Sequence, residues 1–181
     1  MTPGIGHNSN HDPNGYAGRL HQWRRARRAL VSRALPVEVI RSRMRRADAL
    51  GLDFRTYASV RASTGRDVVA LLFSSSALGM LRRAELDARA ARKLAGVSAD
   101  CAVLVHAPVP VAAPAPLGWA ERAPSFLVPP GAAARAVAAA LRARKLPADA
   151  VLIVGATAAE RAWCAGARAA GYVDAEGYFA S

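Results

Sequence analysis

Cysteine, lysine, long apolar runs and, over one quarter of the chain, acidic residues are all in short supply. Two cysteines, Cys101 and Cys164, are too few for a disulfide framework or a cysteine-based metal cluster. They fit a reducing cytoplasm, where such residues act as small buried apolar groups. No apolar run approaches the roughly 18 to 20 residues that span a bilayer. The most apolar window, Val68 to Leu81, is interrupted by three serines, so a soluble protein without a membrane partner is expected. The start "MTPGIGHNSN" lacks the basic residues and apolar core of a secretory signal. G-x-x-x-x-G-K-[ST], G-x-G-x-x-G and G-x-S-x-G are all missing, which removes support for a P-loop triphosphate site, a dinucleotide site and a serine hydrolase. His7 and His11 have no Cys or carboxylate at ligand spacing. No constellation justifies assigning a catalytic residue, a cofactor or a metal.

What is present is arginine, unevenly placed. The formal net charge is +12. Between Arg19 and Arg66 thirteen Arg face three acids, Glu38, Asp48 and Asp53, while from Asp67 onward ten Arg and two Lys meet nine acids. A genome rich in G and C would explain Arg in place of Lys, but not why acids are thin in one segment. Such a localised positive field draws in polyanions.

The pattern along the chain predicts an α/β protein: about three basic helices, then a small four-stranded, mainly parallel sheet with helices on both faces. Residues 1–18, rich in Gly, Asn, Pro and His, read as a disordered leader. Residues 19–66 read as the basic helical region and 67–181 as a Rossmann-like α/β domain. "GIGHNS", Gly4 to Ser9, resembles a short N-terminal tag on small alphaproteobacterial proteins, several associated with DNA or phage genes. Leu20, Trp23, Leu30, Val31 and Ala34 share one side of a first helix. Pro36 opens a second, whose Val37, Ile40, Met44 and Ala47 share a face. Gly51 ends it, and Asp53 caps a third running to about Ser63. Four strands are expected at Val68–Phe73, Ala102–Val105, Phe126–Val128 and Val151–Val154. A helical pattern follows the serines to about Ala95, and others are centred on "AAARAVAAALRARK" and Ala158–Ala170. "APVPVAAPAPLGWAERAP" reads as a surface loop. Apolar strands alternating with helices imply right-handed parallel crossovers.

Within "ADALGLDFRTYASV", Ala47 is small where two helices would touch, and Gly51 can take positive φ in the turn. Leu50, Leu52, Tyr57 and Val60 are candidates for the shared core, and Asp53 for the cap. Over Arg43 to Ala62 the chain resembles the helix-turn-helix DNA-binding family. It departs from that pattern at Arg46, where an aliphatic is usual, and at the bulky Tyr57; Phe54 would also be exposed near the start of the second helix. The resemblance implies a regulator of transcription in which Arg55, Thr56, Ser59 and Arg61 face the major groove, Arg41, Arg43, Arg45 and Arg66 lie near phosphates, and the default assembly is a homodimer. RNA is an alternative polymer, and an acidic protein an alternative partner.

A second reading puts function in the α/β half. Open parallel sheets bind ligands beyond the carboxyl ends of their strands. Here those ends carry Ser74, Ser75, Ser76, His106, Gly155 and Thr157, which would suit an enzyme or sensor for an anionic metabolite. The simpler reading is that one serine caps a helix, the others fill the turn, and His106 is a hydrogen-bonded residue at the end of an apolar strand.

Overall fold

The computed structural model describes residues 35–180. The segments read as a leader, with His7, His11 and "GIGHNS", and as a first basic helix, with Trp23, lie outside the described residues. The chain divides into two compact units, Met1–Ile40 and Arg41–Ser181, and the second carries the sheet.

Among the described residues two helices come first, α1 (Val37–Ala49) and α2 (Phe54–Thr64). Gly51, at φ 64°, makes the turn between them, a left-handed conformation that costs glycine little. The Arg46 and Ala47 carbonyls close the end of α1: the Leu50 N–H donates to both, and the Leu52 N–H reaches the Ala47 oxygen at 2.9 Å. The Asp53 carboxylate accepts from the Thr56 N–H at 2.9 Å and so caps α2, as its side-chain chemistry predicts. Gly65, at φ 70°, ends α2 with its N–H on the Arg61 carbonyl.

The remaining chain alternates: β1 (Ala70–Ser74), α3 (Ala88–Leu94), β2 (Asp100–Val105), β3 (Trp119–Arg122), α4 (Pro130–Ala143), β4 (Val151–Gly155), α5 (Ala158–Ala167), β5 (Gly171–Asp174) and α6 (Ala175–Ala180). The five strands form one sheet in the order β3-β2-β1-β4-β5, and every neighbouring pair is parallel. All five residues of β1 and of β4 are buried. Continuous burial explains their unbroken apolar sequences, since both faces are covered.

Side chains alternate between the faces. Leu71 and Phe73 of β1, Val103 and Val105 of β2 and Leu152 and Val154 of β4 pack with Leu94, Tyr178 and Phe179 of α3 and α6. Ala47, Leu50, Leu52, Tyr57 and Val60 join the same core, so the α1–α2 corner helps roof this face. Ala70, Leu72, Ala102, Leu104 and Ile153 point the other way, against Val137 and Leu141 of α4 and Trp163 of α5.

Three sequence expectations require correction. The third strand is Trp119–Arg122, inside the segment read as a loop, whereas Phe126–Val128 is a turn with Leu127 95% exposed. Prolines at 124, 129 and 130 fence that short apolar run and deny it ladder hydrogen bonds. β3 lies at the sheet edge, where half-burial suffices and a sequence such as Trp-Ala-Glu-Arg is tolerated. After the serines the chain turns rather than coils: the Met80 N–H reaches the Ser75 carbonyl at 2.9 Å, Gly79 has φ 70°, and helix begins only at Ala88. Finally, α5 stops at Ala167, and Gly171 opens a fifth strand, followed by the short α6.

Candidate functional site

The basic corner sorts its side chains by chemistry. Ala47, Leu50, Leu52, Tyr57 and Val60 are buried, while Arg41, Arg45, Arg55 and Ser59 are exposed and Arg43, Thr56 and Arg61 half-buried. One acid organises the inner side. Asp67 accepts a hydrogen bond from the Tyr57 hydroxyl at 2.8 Å and pairs with Arg46 at 3.3 Å and Arg61 at 3.6 Å. Arg46, which departs from the helix-turn-helix pattern, also donates to the Val68 carbonyl at 2.7 Å. Its charge therefore ties α1 to the start of β1, where an aliphatic side chain would only pack. Arg66 pairs with Asp149 at 2.9 Å. Burial, then the contact with Asp67, pushes the Tyr57 phenol above its ordinary value. The Thr56 hydroxyl and N–H hold the Asp53 carboxyl below its own. On the turn itself, the Tyr178 hydroxyl donates to the Leu50 carbonyl at 3.0 Å, pinning the corner to α6.

A second cluster occupies the carboxyl edge of the sheet. Strand order reverses between β1 and β4, because β2 and β3 lie to one side of β1 and β4 and β5 to the other. That reversal leaves a crevice where crossovers diverge. Glu160, in the first turn of α5, fills it and is 0% exposed. Its Oε2 accepts from the Ala156 N–H at 2.7 Å and the Thr157 N–H at 2.9 Å. The Thr157 hydroxyl in turn accepts from the Glu160 N–H, completing a capping box. Its Oε1 meets His106 Nε2 at 2.8 Å. Burial alone would raise the Glu160 pKa, but hydrogen bonds from His106, the Ala156 N–H and Ser74 outweigh it and hold the carboxyl below its ordinary value. An ionised carboxylate can only accept, so His106 carries a proton on Nε2.

The sheet thus gathers most of the strand-end residues singled out from sequence. Ser74 reaches Glu160 and also accepts from the Ala77 N–H at 3.1 Å. The Ser75 hydroxyl accepts from the His106 N–H at 3.0 Å. At Gly155 a Cβ would come within 2.9 Å of Glu160 Oε2 and 2.8 Å of Tyr172 Cε2, so the cluster needs glycine there. Ser76 stands apart, its carbonyl accepting from the Gly79 N–H in the turn. The Ala156 and Thr157 N–H groups at the start of α5 are taken by the chain's own Glu160 rather than left for an external anion.

Phe126 stacks on the His106 ring at 4.4 Å between centroids, and Trp163 lies at 5.5 Å. His106 lines a cleft of about 300 Å³ with Ala107, Arg122, Ala123, Pro124, Ser125 and Phe126. Sequence reasoning missed Glu160 and Arg122. The Thr-Ala-Ala-Glu spacing after a strand is a capping-box signature and could have drawn attention to Glu160; its pairing with His106, 54 residues away, has no local signal. Arg122 was hidden by the unrecognised β3.

Among the described residues, no group of three His, Cys, Asp or Glu is arranged to hold a metal, and no helix is long and apolar enough to cross a membrane. The chain matches no protein-family model, no curated protein and no solved structure.

Proposed function

We propose that the protein binds nucleic acid, with duplex DNA the first candidate, through the outer surface of the α1–α2 corner. One observation carries this reading: every apolar residue expected to sit between the two helices of a DNA-reading corner, from Ala47 to Val60, is buried, while Arg45, Arg55 and Ser59 remain exposed on the outside. The corner is also held rigidly by Asp67 and Tyr178, as a surface that docks in one orientation requires. Arg41 and Arg45, one turn apart on α1, suit phosphates; Arg55 and Ser59, one turn apart on α2, suit base edges. Arg61 and Arg66, already paired with Asp67 and Asp149, act here as supports for the corner. A regulator of transcription is the specific form of this reading.

The test is a titration of the full-length chain with duplex DNA over a range of salt. Each phosphate contact contributes a log–log slope of about −0.9, so Arg41→Ala with Arg45→Ala should weaken binding to all sequences and flatten the slope by up to about two contacts. Arg55→Ala with Ser59→Ala should cost about 1 to 3 kcal/mol on a preferred sequence and much less on random DNA. Equal losses on every sequence from both variants would leave an electrostatic patch without readout. Unchanged DNA affinity in both would remove the corner from the function, and tighter binding to single-stranded RNA would move the reading to that polymer.

A further inference from the structure

The cleft at the carboxyl edge holds an arginine whose fixed geometry is unusual for a surface residue. Arg122 ends β3, and its register partner is Val105, the last residue of β2. His106 follows directly, which brings both side chains to the same cleft. One guanidinium nitrogen, Nη1, donates to the Val105 carbonyl at 3.2 Å and to the Val109 carbonyl at 2.9 Å. Those two bonds use both Nη1 hydrogens and hold the planar group in place. The opposite Nε–Nη2 edge, the fork that pairs with a carboxylate through two parallel hydrogen bonds, has no protein partner among the described residues.

The walls around that fork are selective. Ala107, Ala123, Pro124 and Phe126 are apolar, and among the described residues no acid lines the cleft. The carboxylate bonded to His106, that of Glu160, is fully buried. Glu160 therefore orients the imidazole without presenting negative charge to an incoming anion. About 300 Å³ lies at the small end of ligand cavities. We infer that this cleft binds a small organic carboxylate with an apolar body, its carboxylate on the Nε–Nη2 edge of Arg122 and its body against Phe126 and Pro124, beside the oriented ring of His106. This site is independent of the nucleic-acid surface on the corner and stands or falls separately.

Benzoate is the probe, with benzamide as its uncharged isostere and inorganic phosphate as a compact anion without an apolar body. In the full-length chain, benzoate should shift the backbone amide resonances of Ala107, Ala123 and Phe126 in a saturable manner, and benzamide should bind about tenfold more weakly or worse, as loss of a charge-assisted bond implies. Arg122→Gln should reduce benzoate affinity by a similar factor. Arg122→Lys, which keeps the charge and loses the fork, should recover only part of it. If Arg122→Gln disturbs the edge strand, the comparison of benzoate with benzamide on the unaltered chain decides alone. Equal binding of the two, benzoate shifts confined to other surfaces, or phosphate displacing benzoate at equal concentration would each overturn the assignment.

Discussion

The α1–α2 corner and the carboxyl edge of the sheet use charge in opposite ways. At the corner, one half-exposed carboxylate, Asp67, serves Tyr57, Arg46 and Arg61, while Arg45 and Arg55 point to solvent. At the edge, one carboxylate with no exposure, Glu160, is enclosed by donors from three elements: the Ser74 end of β1, His106 after β2, and the start of α5. Exposed pairs contribute little to folding because water and salt screen them. Such charges are available for recognition. A buried carboxylate has no water to fall back on, and its partners are obligatory. Stability at the edge therefore depends on a few polar contacts, and at the corner on apolar packing beneath an interchangeable surface.

Removing Glu160 should separate the regions most. Glu160→Ala leaves His106 and the Ala156 and Thr157 N–H groups without their acceptor, and breaking such a buried arrangement should cost about 3 to 5 kcal/mol in urea unfolding. The same site should respond to acid. Hydrogen bonding holds the folded-state pKa of Glu160 below its ordinary value of 4.5. Its contribution is thus fully present above that value and is lost as pH falls through the lower, folded one. Between about pH 5 and pH 3 the unaltered chain should lose more stability than Glu160→Gln. Parallel pH profiles would mean that folding leaves the Glu160 pKa unshifted, contrary to the arrangement described.

At the corner the largest effect should come from the turn. Gly51→Ala places a side chain on a backbone at φ 64°, with the new carbon 3.1 Å from the Tyr178 hydroxyl and 3.2 Å from Val97 Cγ2. The left-handed conformation alone should cost about 1 to 2 kcal/mol, and crowding should add to it. Tyr57→Phe removes one hydrogen bond to an acid that keeps two arginines, so about 0.5 to 1.5 kcal/mol is expected. If Tyr57→Phe proved as damaging as Glu160→Ala, Asp67 would have to be treated as a second buried centre, and the contrast between the regions would collapse.

The same contrast explains what could be read in the sequence. β1, β2 and β4 are apolar runs, apart from Ser74 at the end of β1 and Asp100 at the start of β2, because both their faces are covered, and burial on two faces is the condition that writes itself into composition. β3 and β5, Trp119–Arg122 and Gly171–Asp174, are edge strands of four residues each, and half-burial allowed polar residues that disguise them. The corner was legible through glycine, aspartate and the spacing of Leu50, Leu52, Tyr57 and Val60, because local backbone chemistry sets a turn and a cap. The strand-end serines and His106 were legible through topology, since parallel crossovers bring strand ends together. Glu160 on His106, and the two carbonyls that hold Arg122, depend on contacts between distant segments and leave no mark in any short window.

The smallest expected effects make the sharpest test of the contrast. Arg41→Ala with Arg45→Ala, and Arg55→Ala with Ser59→Ala, alter exposed positions outside the buried corner core. Each pair should change unfolding free energy by no more than about 0.5 kcal/mol per substitution. Stability nearly unchanged with nucleic-acid affinity reduced would assign these arginines to recognition. A loss of about 2 kcal/mol or more in either pair would exceed what exposed substitutions cost and would make these side chains part of the fold, in which case the corner and the carboxyl edge would no longer differ in how they use charge.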